Sequence, residues 1–428
     1  QTWSYGVSTW TTQTNGTGHP STYAIISSNP PADYLTWERV HQFDAGLDFS
    51  VLNSRITGSI DYYNNLTSNS YYNQFVSPLA NIGVSTLAHN SAKLRNYGLE
   101  IELDADIIRT KNWTLNFGTN GTHYRTVLVK VPASQIPYWD NTIDLPKGTW
   151  TANGEEWSAS GSMGGGVNSH IFYLRGEGKD WYNIYLYKYA GVDQTSGLPM
   201  FWHRVTYADV NAKNGIYDHN GRYSSYKQGD NVKTTISSDA SRYEMGSATP
   251  KWIGGFNTTL RYKDFDLSIV AAYQLGGKFF STEYANQLYC GSLIGPSDGD
   301  EPVSKDLKGH TWTPTNTSAK FPIQWWGNGN TIYYDGSTIG SWQYTDMALF
   351  SASYLRIKNI TLGYNLPKVL CQKIGISKLH VFVSADNMIF FSAEKGVDPS
   401  MSVIGGFEVG AMVYPQMQAV TIGLNLEI

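Results

Sequence analysis

The chain repeats one pattern many times: apolar residues occupy every second position, and polar residues occupy the positions between them. Alternation of this kind predicts β-strands with one apolar face and one polar face. The clearest examples are 43–51, 56–62, 97–107, 113–117, 256–262, 265–273, 360–366, 379–385 and 420–428.

Short and long connections alternate between these strands. The short turns are 53–55, 109–112, 263–264 and a longer 367–378. The long polar stretches are 64–96, 124–170, 203–251, 276–351 and 392–416. Strands of about ten residues, with short turns at one end and long loops at the other, are typical of a bacterial outer-membrane barrel. The sequence therefore predicts an all-β fold, a transmembrane antiparallel β-barrel.

The number and direction of the strands follow from this pattern. Counting gives about eleven or twelve strands, including a less regular pair at Ile171–Leu174 and Tyr182–Tyr189. Alternating the strand direction from residue 40 puts Ile428 on the side of the short turns. Because short turns face the periplasm in such barrels, we expect a periplasmic C-terminus and extracellular long loops. Alternation also fits a soluble antiparallel sandwich, but compact soluble domains rarely have so many long loops.

Composition and charge exclude several other classes. Charged residues make up 15% of the chain and aromatic residues 14%, which excludes intrinsic disorder. There are 31 basic and 35 acidic residues and no basic run, so no nucleic-acid partner is expected. No stretch approaches the roughly 18 uninterrupted apolar residues of a membrane-spanning helix.

Neither disulfide nor zinc chemistry is indicated. The two cysteines, Cys290 and Cys371, fall on opposite sides of the predicted membrane, so we expect no bridge between them. The nine histidines are scattered without ligand spacing, and no CxxC or HExxH motif occurs. The sequence therefore predicts no zinc site.

Three C-terminal segments carry a family resemblance. They are SYLRIKNITLGYNLP (353–367), KLHVFVSADNMIFFSAEKGVDPS (378–400) and YPQMQAVTIGLNLEI (414–428). These segments resemble the C-terminal end of SusC/RagA-like TonB-linked outer-membrane proteins. Four upstream blocks are similar to the same family in the same order, at 35–65, 96–108, 176–201 and 248–277. One departure is the terminal Ile428, where such barrels commonly end in an aromatic residue.

The resemblance implies a barrel of about 22 strands with an N-terminal plug and a TonB box. On this interpretation residues 1–428 form the C-terminal part of the transmembrane barrel, with long extracellular loops, and the plug and TonB box are absent from this chain. A half barrel would leave two unpaired strand edges in lipid, which is very costly. We therefore expect the remaining strands and the plug to be supplied by another polypeptide or by a longer form of this one.

The resemblance also implies a transporter and not an enzyme. It would import oligosaccharides or peptides across the outer membrane of a Bacteroidetes-like bacterium. The TonB complex would supply energy through the N-terminal region, and a SusD-like surface lipoprotein would form a lid. No cofactor is required for this function. The alternatives are a passive porin or siderophore-type receptor, which needs no lipoprotein, and a soluble β-rich glycan-binding protein.

Polar residues on the inward face are expected to line the barrel lumen. They are Asp44, Asp48, Glu100, Glu102, Asp104, Asn116 and Asn120. Alternate carboxylates on one strand, continuing to Asp106, are about 6.6 Å apart, a spacing that an inverting glycosidase pair also has. Four alternate carboxylates in succession are explained more simply as an acidic wall of the lumen, so we assign no catalytic residue.

One segment resembles a calcium loop of the type D-x-N-x-D-G-x-I. Its candidate ligands are Asp209, Asn211, Asn214 and Asp218. The family often carries such a motif at this place. Here an extra residue precedes the glycine, and Lys213 stands where an oxygen ligand would be useful. The alternative is an Asx- and Gly-rich turn without metal.

Aromatic residues are prominent in the longest predicted outer loop, which carries Trp325, Trp326, Tyr333 and Tyr334. Such side chains beside Asn and Asp suit stacking on sugar rings or gripping a peptide. They also suit docking of a partner lid, because Trp and Tyr are enriched at interfaces. A third role is loop–loop packing that closes the barrel mouth, and the sequence leaves the three roles open.

Overall fold

A computed structural model gives the structure of the chain. It describes residues 34–75, 86–130, 151–152, 155–156, 159–160, 172–174, 177–211, 215, 217–288, 303–324, 332–334, 337–339, 345–373, 375–393, 398–401, 408–409 and 416–427. None of the helices in these ranges has the length and apolar character needed to cross a membrane.

Nine strands of the described residues form one sheet, in which each strand pairs with the next one along the chain. Every pairing is antiparallel. The strands are β1 Arg39–Val51, β2 Ile56–Phe75, β3 Thr86–Arg109, β4 Trp113–Lys130, β5 Trp252–Tyr262, β6 Phe265–Leu275, β7 Tyr354–Asn365, β8 Lys378–Ser392 and β9 Ala419–Glu427.

The strand register extends the alternation of each strand across the sheet. At one level β3 to β9 all place an apolar residue on the same face, namely Ile108, Leu115, Leu260, Leu267, Leu362, Val383 and Ile422. The adjacent level places polar residues on the opposite face, namely Asp106, Asn116, Thr259, Ser268, Thr361, Ser384 and Thr421. From β3 to β9 the sheet therefore has one apolar face and one polar face.

The apolar face is uncovered. Leu47, Leu362 and Ile422 are exposed by 62%, 53% and 76%, so no described element packs over them. A soluble sandwich buries this face against a second sheet, and soluble monomers rarely expose apolar patches of this extent. The face is instead suited to contact with lipid acyl chains.

Several strands continue well beyond the length that crosses a membrane. The 20 residues of β2 and the 24 residues of β3 pair up to Phe75 and Thr86. The expectation of a loop is therefore wrong for residues 64–75 and 86–96, whereas 76–85 lie outside the described residues. The expected loop at 124–170 begins only after Lys130. The sequence of these extensions carries no regular row of apolar residues.

The turn between β1 and β2 is tightly constrained. Leu52, Asn53 and Ser54 have φ values of 55°, 57° and 58°, in the left-handed region. Arg55 then donates from Nη2 to the carbonyl oxygens of Asp106 (3.1 Å) and Ile107 (2.9 Å). The turn is thereby tied to the neighbouring strand β3.

The less regular pair at Ile171–Leu174 and Tyr182–Tyr189 does not belong to the large sheet. The described strands there, Phe172–Tyr173 and Asn183–Tyr187, pair in a separate four-stranded sheet. This correction lowers the strand count of the large sheet from the expected eleven or twelve to nine in the described residues.

The connection between β4 and β5 carries most of the remaining small elements. Its described strands are Thr151–Ala152, Glu155–Glu156, Ala159–Ser160, Phe172–Tyr173, Asn183–Tyr187, Tyr189–Val192, Pro199–Arg204, Asn231–Thr234 and Arg242–Ser247. Helix α1 is Tyr207–Val210, and short 3₁₀ helices are Asp218–Gly221 and Ser237–Asp239.

Smaller elements also lie in the later connections. Those before β7 are the strands Lys278–Ser281, Ile332–Tyr334, Ser337–Ile339 and Leu349–Ser351, helix α2 Thr282–Gln287, and the 3₁₀ helices Lys305–Leu307 and Asp346–Ala348. Those after β7 are helix α3 Lys368–Lys373, the 3₁₀ helix Pro399–Met401 and the strand Glu408–Val409. Cys371 in α3 is buried and free, and Cys290 lies outside the described residues.

The hydrophobic core lies in the connections and not in the sheet. One buried cluster joins the two longest connections and comprises Ile184, Leu186, Ala248, Phe280, Ala285 and Ala348. A second cluster comprises Phe201, Leu288, Leu307 and Phe321. Because these residues come from distant parts of the chain, the long loops fold together into one packed body.

The two faces of β6 provide a first prediction. Replacing Ile269 on the apolar face by arginine puts a charge into lipid near the middle of the strand, which is expected to cost about 2–4 kcal/mol. Its neighbour Ser268 faces the polar side, so Ser268→Arg is the matched control and is expected to cost much less. Urea unfolding in liposomes, followed by heat-modifiable gel mobility, measures both. Equal losses in the two variants would contradict the assignment of the faces.

Candidate functional site

The polar face of the sheet carries all of the residues expected to line a lumen. Pairing brings Glu102 opposite Asn120, and Asp104 lies one alternation further along the same strand. Asn116 donates to Asp104 Oδ1 at 2.8 Å, and Asn120 Oδ1 accepts from Gly255 N at 2.8 Å. By register the seven share this face: Asp44, Asp48, Glu100, Glu102, Asp104, Asn116 and Asn120. Their contact with cargo remains a prediction.

A concavity of 560 Å³ opens on this face. Its polar lining comes from β2, β3, β4, β6 and β7 and comprises Ser59, Asp61, Glu100, Glu102, Asn120, Thr122, Gln274 and Tyr354. Among the described residues, none of its three carboxylates has a lysine or arginine within ion-pair distance, whereas Asp106 near the short turns pairs with Arg109. The wall is therefore strongly negative and rich in hydrogen-bond acceptors.

The aromatic residues expected at the mouth are only partly placed. Trp325 and Trp326 lie outside the described residues. Tyr333 and Tyr334 lie on the strand Ile332–Tyr334, which pairs with Ser337–Ile339 to form a hairpin. The three roles considered for these side chains all remain open.

The segment that resembles a calcium loop places Asp209 in the interior. Asp209 lies in α1, is fully buried, and its Oδ2 accepts from Thr206 N at 2.7 Å and from Thr206 Oγ1 at 2.8 Å. Asn211 and Asp218 are exposed, and Asn214 lies outside the described residues. Calcium binding by these four residues remains a prediction.

Two histidines that the sequence did not single out lie against the same carboxylate. His203 Nε2 is 3.1 Å from Asp209 Oδ2, and His219 Nδ1 is 2.6 Å from Asp209 Oδ1. The spacing of these three residues along the chain matches no metal motif. The available signal was His203 itself, which takes a core position in the alternation of Pro199–Arg204.

Burial and the neighbouring groups act on the titration of this cluster. Burial raises the pKa of Asp209, but contacts with His203, His219 and Thr206 outweigh it and hold that pKa far below its usual range. The Asp209 carboxylate in turn raises the pKa of His219. Asp209 is consequently a carboxylate anion at neutral pH.

Comparisons with known proteins agree with this architecture. A family model described as TonB dependent receptor-like, beta-barrel, matches residues 2–192. TonB-dependent receptor P3 of Formosa agariphila is 25% identical over 96% of this chain. TonB-dependent receptor SusC of Bacteroides thetaiotaomicron is 25% identical over 94%. The structure of the RagAB peptide transporter has the same fold, with a TM-score of 0.62 at 22% identity over 92% of this chain. The chain is similar to the barrel of SusC-like TonB-dependent receptors.

The chain spans about a third of these proteins, with 36% of receptor P3, 33% of SusC and 36% of the RagAB chain covered. The nine-stranded sheet is accordingly a segment of the receptor barrel, and the expected fold class is confirmed. The receptor family that the chain resembles implies the outer membrane, a location that suits the exposed apolar face of the sheet.

One ion pair joins the barrel wall to the connection that follows β8. Arg356 on β7 is 4% exposed, pairs with Asp398, and donates from Nη2 to Ser400 Oγ at 3.1 Å. Its guanidinium also lies over the ring of Phe390, 4.2 Å from the centroid. This loop is therefore attached to the receptor barrel through a buried cation.

Removing the charge of the Asp398 carboxylate, the partner of Arg356, provides a second prediction. Asp398→Asn leaves the buried Arg356 without its counter-charge and is expected to cost about 3 kcal/mol. Asp106→Asn breaks the exposed pair with Arg109 and is expected to cost at most about 1 kcal/mol. Urea unfolding and hydrogen exchange of residues 398–401 measure the effect. A loss no greater in Asp398→Asn than in Asp106→Asn would contradict the anchoring role.

Proposed function

We propose that the protein works as part of an outer-membrane importer for oligosaccharides or peptides, energised by TonB and covered by a SusD-like surface lipoprotein. The long loops are extracellular and the C-terminus is periplasmic. The observation that carries the proposal is the concave polar wall of a sheet similar in fold to the RagAB peptide transporter. The similarity to SusC over 94% of the chain supports the same function.

The chemistry of the wall suits cargo that donates hydrogen bonds. Carboxylates such as Asp61, Glu100 and Glu102 only accept hydrogen bonds when they are ionised. Sugar hydroxyls, peptide N–H groups and cationic side chains are donors, so all three find partners on this wall. Apolar cargo has no hydrogen-bond donors, so it finds no partner on the polar lining of the concavity.

The need for TonB follows from the location. The outer membrane has neither ATP nor an ion gradient, so the force that opens a plugged barrel has to come from the inner membrane. A lid above the loops would hold cargo during this step. The packed body formed by the long loops, with core residues such as Ile184 and Phe280, offers a firm surface for such a lid.

The function is tested in the native organism. A strain deleted for the gene is expected to lose growth on one class of oligosaccharide or peptide, and growth should return only with the gene and a working TonB system. A surface lipoprotein is expected to co-purify with the receptor in mild detergent. Uptake without TonB would favour the passive porin, and TonB-dependent uptake without a lipoprotein would favour a siderophore-type receptor.

The acidic wall provides a third prediction. Replacing Glu100 and Glu102 together by glutamine keeps the shape of the wall but removes two negative charges, so uptake of basic cargo should fall more than uptake of neutral cargo of equal size. Asp106→Asn is the control, because Asp106 already pairs with Arg109 on the same strand. Uptake of fluorescent peptides with and without lysine measures the difference. Identical uptake of both peptides by the double variant and the control would contradict a role for the wall in selection.

A further inference from the structure

The cluster of His203, Asp209 and His219 lies in the packed loops between β4 and β5. One side-chain atom from each residue comes within 4.8 Å of the other two. The side chains of His203 and Asp209 are buried at 1% and 0% exposure, while that of His219 is 22% exposed. The cluster is therefore buried at His203 and Asp209, and solvent reaches it at His219.

Hydrogen bonding fixes the tautomer of a neutral His203. Its Nδ1 lies 2.6 Å from the backbone carbonyl oxygen of Asp239, a group that only accepts, so Nδ1 carries the proton. Nε2 then presents a lone pair towards the Asp209 carboxylate at 3.1 Å. Two lone pairs in that position repel each other unless a second proton or a metal ion lies between them.

The surroundings hold His203 in this orientation. The ring of Tyr223 stacks on His203 at 4.0 Å between centroids, and the Tyr223 hydroxyl donates to Asp239 Oδ2 at 2.8 Å. Arg222 pairs with the same carboxylate at 2.7 Å. A backbone carbonyl that accepts from the second ring nitrogen is the support that metal-binding histidines usually have.

We propose that His203 Nε2, the Asp209 carboxylate and His219 Nδ1 bind a divalent transition-metal ion, with Zn²⁺ as the best fit. Two imidazoles and one carboxylate with water at the fourth position match the ligands of zinc. Calcium binds oxygen ligands and has no use for the two ring nitrogens. This inference is independent of the proposed import function.

The two contacts with Asp209 need only a small adjustment. Zinc bonds of about 2.0–2.1 Å in a tetrahedron separate the ligand atoms by about 3.3 Å. The contact of His203 with Asp209 at 3.1 Å is already close to that value, and the contact of His219 at 2.6 Å has to widen. His219 is the ligand best able to move, because it is the partly exposed one.

A bound ion would hold three separate elements together. His203 lies on the strand Pro199–Arg204, Asp209 lies in α1, and His219 lies in the 3₁₀ helix Asp218–Gly221. The unfolded chain has no such site, so metal binding would stabilise the folded loop. The predicted effect of the metal is therefore to stabilise the folded loop.

Metal binding by the full receptor in detergent provides the test. The protein is stripped with chelator, exchanged into buffer containing excess Ca²⁺, and titrated with Zn²⁺ by calorimetry, with bound metal counted by mass spectrometry. One zinc per chain is expected in the wild type. His219→Asn should weaken zinc binding by at least roughly 10–100-fold. His310→Asn, in another loop and outside the cluster, is the matched control and should bind as the wild type does.

A second measurement does not depend on any variant. Co²⁺ bound to the wild type should give the intense visible bands of a tetrahedral site, and Zn²⁺ should displace it. Absence of stoichiometric zinc and of these bands would overturn the proposal and leave a cluster held by protons alone. Unchanged zinc affinity in His219→Asn would overturn it as well, because the metal would then lie elsewhere.

Discussion

The architecture depends on the pairing of backbone N–H and C=O groups where water is absent. Each unpaired group in lipid costs several kcal/mol, so strands cross a membrane only when both of their edges are paired. The inner seven strands of the nine-stranded sheet meet this condition, whereas β1 and β9 each have one partner in the described residues. The outer edges of β1 and β9 require further strands, and the relatives, about three times as long as this chain, have room for them.

The same constraint explains why so much of the fold could be predicted. A strand between lipid and water must alternate apolar and polar residues, so the nine membrane strands appear directly in the sequence as a period of two. The register then extends rows such as Leu260, Leu267 and Leu362 across several strands. The acidic positions on β3 were predictable for the same reason, since their parity alone assigns them to the polar face.

Strands could not be predicted outside the lipid, because nothing there requires apolar and polar residues to alternate. Residues 66–75 of β2 and 86–95 of β3 are paired strands, but their sequence lacks the alternation that identifies a strand. The strand Asn183–Tyr187 has the opposite problem, because it is buried in the loop body and four of its five residues are interior. The cluster around Asp209 depends on long-range contacts, such as that of His203 with the Asp239 carbonyl, which spacing along the chain does not reveal.

The protein thus has two regions that are stabilised in different ways. The sheet depends on backbone pairing and lipid and has few buried side chains, whereas the loop body has its own core around Phe280 and Phe321. Buried polar groups such as Asp209 and Asp239 add little stability over apolar packing, but they fix which segments meet, because an unpaired buried charge is strongly unfavourable. A loop surface that has to present a defined shape needs that kind of specificity. The barrel sheet fixes only the spacing of the strand ends. The sequences of the loops are therefore free to change as long as the loop core stays packed and each buried charge keeps a partner.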